Sequence, residues 1–181
     1  MKIFSRRSLR PANALRLSPG FTLVELLVVI AIIGVLATLL LLQLGTARAK
    51  ARDAKRITDI NGLRTAIEIY YDDNGGKYPT AVSDALLGKY ISSGKVPTDP
   101  VTAVGYPYAY NTGGGSNPVK YHLWTELETK NTAALAGDGD MNSTGWTGSP
   151  YDASNAATTE VCTAAYAAGA ARDCIYDTGQ Q

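Results

Sequence analysis

The chain has 181 residues and a formal charge of only +1; 45% of it is hydrophobic, and it holds two cysteines and a single histidine. That length leaves room for one small domain beside one long apolar segment, and two cysteines exclude a disulfide-dense scaffold. The near-neutral total hides a split: seven basic residues after Arg56 face fourteen acidic ones, so the C-terminal part is acidic and does not suit sequence-independent nucleic-acid binding.

Residues 1–20 carry Lys2, Arg6, Arg7, Arg10 and Arg16 and no acid. From Phe21 to Leu44 every residue is apolar or small except Thr22, Glu25, Thr38 and Gln43. As a helix at about 1.5 Å per residue this run is roughly 36 Å long, enough to cross a bilayer core of roughly 30 Å. A secretory signal would place its small residues after a shorter apolar core, whereas here Gly20 precedes the core. Glu25 is the anomaly. A carboxylate in a membrane helix costs up to roughly 3 kcal/mol, less near an interface, so it calls for a partner or for snorkelling to the headgroups.

The basic segment ending in Gly20, then Phe21, then Glu25 at the mouth of an unbroken apolar helix resembles the prepilin signal of the type IV pilin and pseudopilin family. The resemblance implies cleavage between Gly20 and Phe21 by a membrane-embedded prepilin peptidase on the cytoplasmic side, and methylation of the new Phe21 amine. It also gives Glu25 a role in assembly. The amine of one subunit can meet Glu25 of another, and two charges that are costly apart become tolerable as a pair. Removing the five leader cations takes the chain from +1 to −4. The charges flanking the apolar run nearly tie, since Arg48, Lys50, Arg52, Lys55 and Arg56 follow it, so the signal motif and the cysteines decide for an external head. This basic band reads either as anchors for anionic headgroups or as a surface facing acidic residues of neighbouring heads.

Ala47, Ala51 and Ala54, then Ile57, Ile60, Leu63, Ile67 and Tyr70 recur at intervals of three and four, which predicts one helix face continuing to about Asp73, where Asn74-Gly75-Gly76 stops it. Leu42 stands where pilins often carry a proline, and Gly34 and Gly45 are the weak points or close-packing sites of the helix. Tyr70 to Pro79 and Val96-Pro97-Thr98-Asp99-Pro100 resemble the major pseudopilins. Ser83 is positioned to cap a short helix to about Ile91 that lies against the long one. Residues 105–111 and 119–128 read as a hairpin, its second strand turning Tyr121, Leu123, Thr125 and Leu127 inward and His122 and Trp124 to water or a neighbour. Residues 129–181 read as loops with one short strand near 174–176.

Cys162 and Cys174 are an even pair in an external region and suggest a disulfide, worth roughly 3 kcal/mol for a loop of about 13 residues. Asp138, Asp140 and Asn142 alternate as calcium ligands can, and major pseudopilins carry calcium at about this stage of the chain; a plain acidic loop of Asx-turns is the other reading. His122 reads as a surface or interface residue, and no nucleophile motif, P-loop or dinucleotide fingerprint occurs, so no enzymatic role is expected.

The reading is an α+β pilin fold: a leader at 1–20, a transmembrane and filament-core helix at 21–44, its amphipathic continuation at 45–74, and an extracytoplasmic globular head at 75–181. The resemblance implies self-polymerisation into a surface filament for adhesion, motility or DNA uptake, with an assembly ATPase, an inner-membrane platform protein and minor pilins as further partners. The precursor would wait in the cytoplasmic membrane. A major pseudopilin of a type II secretion system is the second reading, and a single-pass membrane-anchored binding module is the alternative of another class.

Overall fold

The computed structural model describes residues 20–150 and 174–180. One helix, α1 (Leu23–Asp73), takes up 51 residues and runs through Gly34 and Gly45. The chain forms two compact units that divide at Leu42/Gln43.

In the first unit the helix packs on no other element among the described residues. Leu23, Val24, Leu26, Leu40 and the other large apolar side chains between them are exposed, and among the described residues α1 is the one helix long and apolar enough to cross a membrane. Such a surface cannot be left in water at roughly 25 cal/mol per Å² of apolar area. Lipid or other protein must cover it.

In the second unit the rest of α1 packs on a four-stranded antiparallel sheet of β1 (Tyr108–Asn111), β2 (Lys120–Glu126), β3 (Thr147–Gly148) and β4 (Ile175–Gln180) in the order β3-β1-β2-β4. Hairpin partners β1 and β2 pair Tyr108 with Leu123 and Asn111 with Lys120, and β4 pairs β2 from Tyr121 to Glu126. Ile60, Leu63 and Ile67 of α1 are fully buried with Tyr121, Leu123, Leu87 and Cys174. Aromatic rings line this seam. Tyr71 stacks on Tyr78 at 4.4 Å between centroids, Tyr78 meets Tyr121 at 4.7 Å, and the Tyr78 and Tyr121 hydroxyls both donate to Glu68. Burial, with Glu68 beside them, pushes both phenols well above their ordinary range.

The α1 face turns along its length. Ala47, Ala51 and Ala54 are exposed while Ile60, Leu63 and Ile67 are buried, so the expected single face is two. The steps 54→57→60 are both of three residues, and each rotates the face by about 60° relative to a full turn. The helix ends as expected: Gly75 and Gly76 take positive φ, 67° and 77°, and the Gly76 N–H reaches back to the Tyr71 carbonyl in a six-to-one closure. Beyond it come α2 (Asp84–Leu87) and a 3₁₀ turn (Gly88–Tyr90), with Leu87 in the core and the Tyr90 ring edge-on to Tyr70 at 5.9 Å. Ser83 has the extended N-cap backbone, but its side chain makes no capping bond.

Gly105, expected to open the first strand, instead closes a loop over residues 98–105 through a bridge to Thr98, and β1 begins at Tyr108. Residues 129–150 and 174–180 hold more secondary structure than their composition suggests, with α3 (Thr132–Leu135), β3 and a six-residue β4. Gly179 is required there, since a Cβ would stand 2.1 Å from the Tyr121 carbonyl oxygen and 2.7 Å from Met141 Sδ.

Candidate assembly site

The N-terminus of α1 is built by Thr22 and Glu25. The Thr22 N–H and hydroxyl both donate to Glu25 Oε2, at 2.8 and 2.7 Å, and the Glu25 N–H donates back to Thr22 Oγ1 at 3.2 Å. This reciprocal arrangement is a capping box, which satisfies orphan donors of the first helical turn with the carboxylate at the positive end of the helix dipole. Glu25 therefore has a partner within its own subunit. The Thr-x-x-Glu spacing carries that information in the sequence and was the signal to read. Gly20 and Phe21 precede the box in exposed, non-helical chain. The arrangement leaves a carboxylate held at the head of an uncovered apolar helix, four residues after Phe21.

The basic band after the apolar run divides into two parts. Arg48 and Lys50 are exposed, as expected of anchors or interface residues. Arg56 is turned inward, which overturns both expectations for it, while Arg52 is half-exposed and paired within the chain. Arg56 is 1% exposed, and its guanidinium donates to Asp99 at 2.6 Å, Glu128 at 2.7 Å and Asp53 at 2.8 Å. Arg52 clamps Glu128 through two nitrogens. Asp53 in turn accepts the N–H groups of Glu128 and Thr129 and the Thr129 hydroxyl. Burial alone would lower the Arg56 pKa, but the bonds to Asp99 and Glu128 outweigh it and the guanidinium is held charged above its ordinary value. Asp99 shows the reverse. Burial would raise it, yet Arg56 and the N–H groups of Thr102 and Val101 bring it down to about 2. The network ties α1 to the 98–105 loop and to the segment leaving β2.

His122 is fully buried, contrary to the surface position expected for it. Its Nε2 lies 2.9 Å from Asp177 Oδ2 and its Nδ1 2.7 Å from Ser143 Oγ. A carboxylate only accepts, so Nε2–H donates to Asp177, and in the neutral ring Nδ1 accepts from Ser143. The order Ser-His-Asp is that of a hydrolytic relay. Here, however, Ser143, His122 and Asp177 are all closed off from solvent, and Asp177 also accepts the N–H groups of Gly139, Asp140 and Met141 at 2.8–2.9 Å. The relay pins the 138–149 loop across the second face of the sheet, where Trp124 donates its indole N–H to the Ser149 carbonyl. One-sided alternation misled the reading of β2 because this loop covers the side expected to meet water.

The same loop holds the expected calcium ligands. Burial, with the Asp177 carboxylate nearby, raises the Asp140 pKa. Asn142 is exposed and turns its Oδ1 to the Thr144 N–H at 2.9 Å. Among the described residues no group of three or more His, Cys, Asp or Glu side chains is placed to share a metal ion. Asn142 is engaged by Thr144 rather than turned toward Asp138 and Asp140. Of the cysteines, Cys174 is fully buried at the start of β4, and Cys162 lies outside the described residues.

A long helix with an uncovered apolar half, a Thr-capped glutamate at its mouth and a small antiparallel sheet on its second half define a pilin-type fold. Comparison with known proteins agrees. The family model for the prokaryotic N-terminal methylation motif matches residues 16–41. The chain is 38% identical over 101 residues to the type II secretion system core protein G of Aeromonas hydrophila, covering 55% of this chain and 62% of that one. It is 33% identical over 119 residues to a fimbrial protein of Neisseria meningitidis, 62% of this chain and 68% of that one. It is 32% identical over 123 residues to the type IV major pilin protein PilE1 of Neisseria gonorrhoeae, covering 71% of it. The chain belongs to the type IV pilin and pseudopilin family. It spans less than two thirds of the Aeromonas protein and 54% of the corresponding protein of Dickeya chrysanthemi. No solved structure is a significant match.

Proposed function

We propose that the protein is a structural subunit of a type IV pilus-like filament, polymerised through α1. The observation that carries this is the exposed apolar helix from Leu23 to Leu41 with Glu25 held at its mouth by Thr22. Cleavage after Gly20 would place the Phe21 amine, then methylated, beside that carboxylate, and burial of α1 against its equivalents would exchange lipid for protein. In the assembled state the amine of a neighbour would replace part of the Thr22 contact, setting axial register. The role is structural, with the prepilin peptidase, assembly ATPase, platform protein and minor pilins acting on or with the chain. A disulfide between Cys162 and Cys174 would anchor the start of β4, and calcium at Asp138 and Asp140 would neutralise the 138–149 loop.

The major-pseudopilin reading is favoured by the similarity to secretion protein G, the pilus reading by the similarity to the fimbrial proteins. Substituting Glu25 by Ala tests the shared core of both. Processing at Gly20 should continue while filament yield collapses, because the amine loses its counter-charge in a low-dielectric bundle. Normal yield of Glu25→Ala filaments would refute the pairing. A merely anchored binding module would keep its head function in that variant.

A further inference from the structure

We propose that Asn142 is an N-glycosylation acceptor, which receives a glycan on its side-chain nitrogen from a polyprenyl-pyrophosphate-linked donor on the outer side of the membrane. The inference goes beyond the filament reading and rests on it only for the external position of the head. Asn142-Ser143-Thr144 is an Asn-x-Ser/Thr triplet without proline, and none of the other seven asparagines of the chain has Ser or Thr two residues on. Such a triplet is common by chance. It becomes an acceptor where it stands on a surface loop of an exported domain, and the structure supplies that setting.

The three residues alternate in burial. Asn142 and Thr144 are exposed, whereas Ser143 is fully buried with its hydroxyl 2.7 Å from His122 Nδ1. The two side chains that a transferase reads are therefore outside, and the middle one anchors the turn. Asn142 Oδ1 accepts the Thr144 N–H at 2.9 Å, an Asx-turn that occupies the oxygen of the side-chain amide. Nδ2, the atom to be modified, has no hydrogen-bond partner among the described residues. A second turn follows at once: the Trp146 N–H donates to the Ser143 carbonyl at 2.9 Å, and Gly145 takes φ 83°. A Cβ on Gly145 would meet nothing within 4 Å, so the space beside the turn is open.

The turn also sits on the right side of the sheet. Tyr121 and Leu123 of β2 pack with Ile60, Leu63 and Ile67 of α1, whereas His122 and Trp124 hold the 138–149 loop on the other face. A glycan on Asn142 thus leaves the head from the face opposite this part of α1. Asp140, two residues before the acceptor, is partly exposed and offers a carboxylate to a cationic group of the enzyme. In the transfer a bond forms between Asn142 Nδ2 and the anomeric carbon of the donor sugar, and the bond from that carbon to the pyrophosphate oxygen breaks. The lipid pyrophosphate leaves with the electron pair, and one Nδ2 proton passes to a base of the transferase. The hydroxyl of Thr144 is the feature recognised, so serine serves in its place and alanine does not.

The test takes the full chain from its own host, pooled from membrane and sheared material, and digests it with trypsin, which releases residues 131–172 as one peptide. In wild type this peptide should carry a mass excess equal to a sum of sugar residues, placed on Asn142 by fragmentation. In the intact chain the same increment adds to the mass of the polypeptide. Asn142→Gln and Thr144→Ala should each lose the excess, and Thr144→Ser should keep it. Both positions are exposed, so these variants leave the packing of the head in place. An unmodified wild-type peptide in a chain that has lost residues 1–20 would overturn the proposal and leave the filament reading standing. Sugar that persists in Asn142→Gln would place it on another residue and overturn the proposal equally. An unmodified chain that also keeps residues 1–20 would remove the filament reading and this site together.

Discussion

Arg56→Ala removes the one cation shared by Asp53, Asp99 and Glu128 at 2.6–2.8 Å. Wild type balances these three carboxylates with Arg52 and Arg56; the variant leaves three carboxylates and Arg52 alone. Breaking a buried pair from one side costs roughly 3–5 kcal/mol, because the remaining charge is stranded in a poor solvent. Glu128 keeps Arg52, and Asp53 keeps two backbone N–H groups and a hydroxyl, so the lower end of that range, about 3 kcal/mol, applies here. For a domain of this size that is a fall in midpoint of about 6–12 °C. The assay is thermal unfolding of the full chain in detergent, followed by near-ultraviolet circular dichroism, which reads tyrosine and tryptophan packing. The deficit should shrink as pH falls toward 4, since protonating Asp99 and Glu128 discharges what the variant strands. A deficit below about 1 kcal/mol would put the network in the class of surface pairs and refute the reasoning. A large deficit independent of pH would assign the loss to side-chain packing.

Three further outcomes follow from the same geometry. The wild-type head should lose stability on acidification in a defined window: Asp99 is depressed to about 2 from an ordinary 3.8, so its contribution is complete above that ordinary value and disappears as pH falls from about 4 to about 2. That contribution is about 2 kcal/mol, and Asp99→Asn should flatten this limb of the pH–stability curve. His122→Ala leaves a cavity and strips a bond each from Asp177 and Ser143, for a loss of about 2–4 kcal/mol, read as early protease cleavage in residues 138–149. Calcium should raise the unfolding midpoint of the wild type and chelator should lower it, while Asp138→Asn/Asp140→Asn should abolish the difference; an equal response in both would place the ion elsewhere.

The two regularities that physics ties most tightly to sequence were legible. The apolar run, its continuation and the glycine stop at 75–76 give α1 within two residues of its observed ends, because helix period and capping chemistry are local properties. The hairpin was legible for the same reason. Arg56 and His122 were not. Nothing local marks Arg56 as buried, since its partners Asp99 and Glu128 are 43 and 72 residues away and only the fold brings them together. His122 alternates correctly as an outward residue of β2, and it is buried because a loop poor in aliphatic side chains folds over it using backbone N–H groups on Asp177. Burial achieved by hydrogen bonding leaves no hydrophobic pattern to read. The Thr22–Glu25 box is a different case, because its Thr-x-x-Glu spacing is local and readable in the sequence.

The most direct measurement of the central claim is the intact mass of the protein in sheared cell-surface material. The account predicts a polypeptide of residues 21–181 plus one methyl group, and two hydrogens lighter until reduction for the proposed Cys162–Cys174 pair. Full-length chain retained in the membrane would contradict it.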